Sequence, residues 1–467
     1  MAFSKIIFNG TTLMDVTQDT VAADNLLQGE TATGADGEQV TGAYVPSGTA
    51  EVEMKLVNFC DYNAKLLYSY TAEEWASVSA LPPNPSHDRL TSQGWNLTKA
   101  QIDTKLSNYP NRRIWIAQYY TTTSTASELD LELRAPRLSP YLGLAVNGTV
   151  TINWGDGSAT ETMTGTSLTT QVRKQHTYAS GGNYTIKIYA TSGSYAFYGT
   201  SNISTINNNN TSTLNSNAAY SSTLRKIFIG ANASIGQYAF YCCRGVEEIM
   251  LPNTITAIGQ YAFSGTNANA AAVVPGTVSS VGNYAWYDNA NLTNVICLDG
   301  VTTLGSYAFQ ANHVTYVYLP TTLTTINTYA LQGQFLVAEM DIPDSVTSLG
   351  TYAFRTARLC QQLHISDNIA DIQTYAFGDL ISLTSVTIGS ACTTIAANAF
   401  YNCLGMKEFH LKPTSPPTLS ATSAISSMPS DCIIYVPRST GQTVLNAYKS
   451  ASNWSTYSSR MQEEPAI

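Results

Sequence analysis

Tyr-Ala-Phe recurs along the second half of this 467-residue chain at a fixed interval. The third residue of the triplet, or of its closest variant, falls at Phe240, Phe263, Trp286, Phe309, Leu331, Phe354, Phe377 and Phe400, so successive copies lie 23 residues apart except for one step of 22. Eight copies at one period are far beyond chance. A period of this length marks a solenoid, in which one unit cannot bury its own apolar face and stacked units share a continuous core.

Two further apolar columns keep the same period. Nine and eleven residues after the aromatic come Ile249/Leu251, Ala272/Val274, Val295/Cys297, Val317/Leu319, Met340/Ile342, Leu363/Ile365, Val386/Ile388 and Phe409/Leu411, the pair arriving one residue early in the short repeat. Alternate residues facing one way is the period of a strand. A second pair follows, from Ile255/Ile258 to Cys392/Ile395. Pro252, Pro275, Pro320 and Pro343 close the strands, because proline cannot continue a central ladder. Each unit therefore reads as strand, turn, second extended piece and a short helical turn at Tyr-Ala-Phe.

These columns resemble the BspA-type leucine-rich repeat, whose consensus is close to YAFxxCxxLxxVxIPxxVTxIG. Tyr261 to Gly305 and Tyr375 to Ile395 follow it closely. The end of the chain, with Ile433 to Pro437 and then Ala447 to Trp454, resembles the C-terminal cap common in that family. The resemblance implies a solenoid over 236–411 and a cap over 412–467.

Upstream the pattern changes. Val150 to Ser158 ends in Trp-Gly-Asp-Gly-Ser, and His176-Thr177-Tyr178 and Tyr184 to Ile188 follow. Two alternating strands around a Gly-Asp-Gly turn read as a small antiparallel sandwich. The motifs resemble the PKD-type immunoglobulin-like fold, placed at 146–192. Residues 193–235, rich in Ser, Thr and Asn, read as an irregular segment and first cap. Residues 6–44 resemble a short module at the start of bacteriophage tail and virion structural proteins, which implies an attachment module over 1–48. Residues 49–145, with Tyr68, Trp75, Trp95 and Trp115, read as a β-rich intermediate domain and resemble the segment preceding a PKD-like domain in gut-phage proteins. The expected fold class is mainly β.

Composition limits the function. Charged residues are 12 % of the chain, about half the usual ~25 %. The net charge of −9 argues against a nucleic-acid binder, which needs a basic face to displace counterions. No stretch approaches the ~18 apolar residues of a membrane span. The start lacks a basic segment followed by an apolar run, so the chain is expected to fold in a cytoplasm.

Marked chemistry is sparse. Of the eight cysteines, Cys297 and Cys392 occupy apolar core columns, and Cys243 and Cys403 fall where the BspA-type consensus has a buried Cys. They read as buried thiols acting as small hydrophobes. Cys242-Cys243 has no partner pair at zinc-ligand spacing. His87, His176, His313, His364 and His410 are scattered, and no serine has a nucleophile-elbow context. Asp156 reads as a turn residue. The expectation is no enzyme, no cofactor and no metal.

The outward strand positions carry more. One column reads Met250, Val273, Ile296, Tyr318, Asp341, His364, Thr387, His410, and its neighbour Glu248, Ala271, Asn294, Tyr316, Glu339, Gln362, Ser385, Glu408. Both vary where the core columns do not, which suits a recognition surface. The candidate ligand patch is Tyr316, Tyr318, Asp341, Gln362 and His364. The repeated tyrosine of the triplet reads as packing. The expected protein is a virion adhesin that holds other virion proteins through its N-terminal module and binds a bacterial surface glycan or protein through the solenoid, with homo-oligomers open. The alternatives are a purely structural virion fibre or decoration protein and a bacterial BspA-like surface adhesin.

Overall fold

The computed structural model describes the backbone at 3–8, 11–14, 31–34 and 39–41, and then residues 56–110, 112–133, 138–200, 202–208, 223–230, 234–266, 270–310, 313–333 and 339–465. They form two compact units, one of residues 1–56 with 70–77 and one of 57–69 with 78–467.

In the first unit, β1 (Phe3–Phe8), β2 (Thr11–Met14), β3 (Thr31–Gly34) and β4 (Gln39–Thr41) make a sheet of order β2-β1-β3-β4, antiparallel where register is defined. The rest of the expected attachment module over 1–48 lies outside the described residues. Helix α1 (Ala72–Ala76) opens on a reciprocal cap, with the Thr71 hydroxyl accepting from the Glu74 amide and the Glu74 carboxylate from the Thr71 amide.

The second unit begins with a mixed layer. In it β5 (Val57–Cys60), β6 (Leu66–Tyr70), β7 (Leu90–Trp95) and β8 (Ile114–Thr122) pair in the order β6-β5-β8-β7, with helix α2 (Lys99–Asn108) between β7 and β8 in sequence.

Next come β9 (Ser127–Leu133), β10 (Tyr141–Asn153), β11 (Glu161–Thr166), β12 (Val172–Gln175), β13 (Gly182–Thr200), β14 (Ile203–Asn208) and β15 (Lys226–Ile229). Here the sequence expectation is corrected. Strands β9 to β13 do not close a separate sandwich. They belong to one eight-stranded sheet, β11-β10-β13-β9-β14-β15 and then strand Glu248–Met250, with β12 on β10. Pairing is antiparallel up to β9–β14 and parallel from β14 onward. Their apolar face, including Leu129, Leu144, Ile152 and Ile186, is continuous with the solenoid core. The Trp-Gly-Asp-Gly-Ser motif does order its own corner. Asp156 holds the Ser158 amide and His176, and the Trp154 indole stacks on His176 at 4.7 Å and donates to Glu161. The segment expected to be irregular, 193–235, carries the end of β13 and the first two parallel strands, so coiling starts before residue 236.

The repeats then stack through three ladders. The first strands pair in parallel in two sheets, one from Ala270–Val274 to Tyr316–Tyr318 and one starting at Glu339–Asp341 and including Glu408–Leu411, and the short second strands do the same from Ser234–Ile235 to Ser348–Leu349 and from Asp371–Ile372 to Thr418–Leu419. The third ladder runs through the aromatic turns, where the Phe240 amide donates to the Ala262 carbonyl at 2.8 Å and Phe309 to Ala330 at 2.9 Å. That turn is not the expected helical turn. Tyr238, Tyr261, Tyr284, Tyr307, Tyr329, Tyr352 and Tyr375 all have φ between 54° and 60°, a left-handed conformation that ends helical progression. Their half-buried rings repay that strain by stacking in one column, 4.5 to 5.0 Å apart and within 16° of parallel. Phe240, Phe263, Trp286 and Phe309 form a second, fully buried stack beside them. Leu445 and Tyr448 of the C-terminal helix α3 (Thr443–Ser450) and Trp454 are buried in this core. The Trp454 indole donates to the Pro417 carbonyl and the Tyr448 hydroxyl to that of Pro413.

Candidate recognition surface

The outward face of the first strands divides in two. Over the first half lies the mixed layer. Cys60, Ala64, Trp115 and Ala117 of that layer form one apolar cluster with Ala271, Val273, Ile296, Leu298 and Tyr318 of the solenoid. A second cluster joins Tyr62, Leu90 and Tyr120 to Phe228 and Met250. Burying such clusters stabilises the contact by about 25 cal/mol per Å² of apolar surface removed from water. Polar contacts rim it. Lys105 pairs with Asp299 at 2.8 Å, Arg112 with Asp341 at 2.7 Å and with the Leu319 carbonyl at 2.8 Å, and the Tyr62 hydroxyl donates to Glu248 at 3.3 Å.

This corrects the candidate ligand patch. Tyr318 is 5 % exposed, and burial pushes its phenol pKa upward. Tyr316 is half-buried against Trp115, whose indole donates to its hydroxyl at 2.5 Å with the ring centroids 5.0 Å apart. Both side chains point away from the solenoid core, as the alternation required, but into a second core rather than into water. Asp341 lies at the edge, half-exposed and held by Arg112. Gln362 and His364 stand on open surface with it. They continue into Ser385 and Thr387, both part-exposed, and Glu408. His364 lies 4.0 Å from the Asp344 carboxylate. His410, in the same column, is held by Glu464 at 2.7 Å and stacks on Tyr435 at 4.8 Å.

Reading the columns by variability missed a signal that was present in them. The first four members of the outer column are Met250, Val273, Ile296 and Tyr318, and the last four are Asp341, His364, Thr387 and His410. An apolar run on a nominally outward face marks a covered face.

The thiols fit their columns. All eight cysteines are free and seven are buried, with Cys242 part-exposed. Burial pushes the Cys297, Cys392 and Cys403 thiols up to about 12, which leaves them protonated and inert. Among the described residues no group of three or more His, Cys, Asp or Glu side chains is placed to hold a metal, and no helix is long and apolar enough to cross a membrane.

The family model of the BspA type leucine rich repeat region matches residues 183–293 and 279–407, in 6 copies. This stretch is built of BspA-type leucine-rich repeats. The match starts inside β13, in agreement with coiling that begins upstream of residue 236. Similar solved structures include a leucine rich cell surface protein from Faecalibacterium prausnitzii, at 21 % identity over 50 % of this chain and 80 % of that one, with a TM-score of 0.27. The pneumococcal vaccine antigen PcpA is 16 % identical over 54 % of this chain and 75 % of its own, with a TM-score of 0.30. A leucine-rich repeat protein from Bacteroides ovatus is 14 % identical over 56 % and 95 %, with a TM-score of 0.26. At these values the likenesses bear on neither ligand nor activity. A search of curated proteins finds no match.

Proposed function

We propose that the protein is a non-catalytic surface adhesin that contacts its target through the uncovered half of the solenoid sheet. The observation that carries this is the division of the outward face of the first strands. Its first rows are apolar and sealed by the mixed layer, and its later rows present Gln362, His364, Ser385, Thr387 and Glu408 to solvent. Amide, imidazole, hydroxyl and carboxylate groups held at strand spacing, about 4.8 Å from coil to coil, suit a polar surface ligand on a cell. The BspA-type repeats favour a bacterial surface protein over a virion component, since the virion reading rested on 6–44 and neighbouring segments outside the repeats. Residence on the bacterial envelope, with a glycan or protein of an opposing surface as partner, follows as part of this reading.

The test has two arms. Immunogold labelling of producing cells and of purified particles decides the location, and gold confined to particles would reverse it. Beads coated with the whole chain are scored for adherence to intact bacterial and epithelial cells, with Gln362→Ala, His364→Ala and Thr387→Ala combined. Adherence should fall about tenfold, equal to ~1.4 kcal/mol; unchanged adherence by a folded triple variant would remove the sheet face from the mechanism.

A further inference from the structure

Where the mixed layer meets β9, β13, β14 and β15, two adjoining cavities of about 320 and 290 Å³ share two wall residues, Arg89 and Asp130. Ligand sites favour such junctions between packed substructures. Arg89 has φ +60°, a conformation that a long side chain adopts at a cost and that concentrates at functional sites. In that conformation its guanidinium pairs with one Asp130 oxygen at 2.8 Å, and the Thr185 hydroxyl donates to the other oxygen at 2.9 Å. A carboxylate and a guanidinium are thereby fixed side by side in the middle of a groove, and the Arg89 side chain remains 41 % exposed.

The two ends of the groove are alike in chemistry. One cavity is lined by Tyr62, Phe228, Lys226 and Glu248, the other by Tyr184, Asn183 and Glu132. Each thus sets planar hydrogen-bonding groups beside aromatic residues, part-exposed at Tyr184 and buried at Tyr62 and Phe228. The two bases are paired, Lys226 facing Glu248 at 3.3 Å and Arg89 facing Asp130, while Asp88 and Glu132 add further acidic groups to the lining. With four carboxylates to two bases the lining is acidic, so the groove does not select a phosphate or a polyanion. Planar carboxylate, guanidinium and amide groups do match vicinal hydroxyls, each donating or accepting two bonds in fixed geometry, and the part-exposed Tyr184 ring supplies an apolar surface for a C–H face.

From this arrangement we infer that the groove is a two-subsite binding site for a neutral, hydroxyl-rich oligosaccharide, with the Arg89–Asp130 pair spanning the junction between the sugar units. The inference rests on the reading of the chain as a surface-recognition protein, and it places glycan capture outside the sheet face.

The experiment uses the whole chain on a printed array of neutral di- to tetrasaccharides of glucose, galactose, mannose and N-acetylglucosamine, followed by calorimetry with the best-bound probe. The parent should bind at least one probe. Asp130→Asn, which keeps the shape of the side chain, should weaken binding at least tenfold. Arg89→Gly should do the same while its melting temperature holds or rises, because glycine relieves the left-handed backbone. Gln362→Ala with His364→Ala should bind the sugar as the parent does. Binding of no probe overturns the site, and so does parent-like binding by both groove variants. A fall in melting temperature of Arg89→Gly, with sugar binding intact, makes the ion pair a structural contact only. If sugar binding follows the groove but cell adherence ignores the sheet variants, the groove stands and the sheet-face reading fails; the reverse pattern overturns the groove alone.

Discussion

Ile296 and Thr387 occupy the same outward column of the repeats' first strands, four repeats apart. Ile296 is completely buried beneath the mixed layer, and Thr387 is part-exposed. Strand geometry treats the two positions identically. What separates them is whether a second layer of chain lies on top, so an outward side chain in a solenoid is surface only where nothing else of the molecule claims that face. The rows under the layer behave as a second core parallel to the first. The rows beyond it are the part of the sheet available to a partner.

The hardest challenge to this contrast is a charge placed in each half. Ile296→Asp should cost about 3–5 kcal/mol, the penalty for an uncompensated buried charge, whereas Thr387→Asp should change stability by less than about 0.5 kcal/mol. Cys60 sits in the covered cluster and serves as the reporter. In Ile296→Asp its maleimide labelling should accelerate while that of Cys403, in the solenoid core, stays slow. Equal protection of Cys60 in parent and variant would mean that the layer does not depend on this contact.

Tyr318→Ala tests the same boundary more gently. Removal of a fully packed aromatic ring costs about 3 kcal/mol or more, measured by denaturant unfolding. A loss under about 1 kcal/mol, the range of a surface substitution, would return Tyr318 to the open face. Arg112→Ala should cost less, about 1–3 kcal/mol, because it leaves the Leu319 carbonyl and Asp341 without their charged donor. Faster amide exchange should appear in the mixed layer and not beyond strand Gln362–His364. Exchange spread evenly along the solenoid would make the rim contact global rather than local. The smallest effect belongs to Gln362→Ala with His364→Ala, within about 0.5 kcal/mol of the parent. A larger loss would show that the open half is also covered.

Much of this was legible in the residues. The period, the three core columns and the closing prolines follow from repeated positions, since a repeated unit must bury each apolar column in the same way; the C-terminal cap is what the resemblance to BspA-type repeats implies. Two local features were not. The left-handed tyrosine turn is hidden because tyrosine has no preference for positive φ, and only the stack of neighbouring rings makes it favourable. The merger of β9 to β13 with the solenoid is hidden because an alternating strand pattern does not say which strand will be its neighbour. Gln362 and His364 could be placed on open surface from their polarity. Tyr316 and Tyr318 could not, since tyrosine serves equally well against water and against Trp115.

By itself the sequence determined the coil from residue 236 onward, its core and the order of polarity along its outward face. Those depend on local alternation and on a repeat that specifies its own neighbours. Only the tertiary structure decided which half of that face is surface, and where Arg89 and Asp130 meet. Both depend on contacts between segments far apart in the chain, such as Trp115 with Tyr316, and no periodicity links such segments. Their pairing is set by complementary apolar area and a few charged contacts that exist only once both layers have formed.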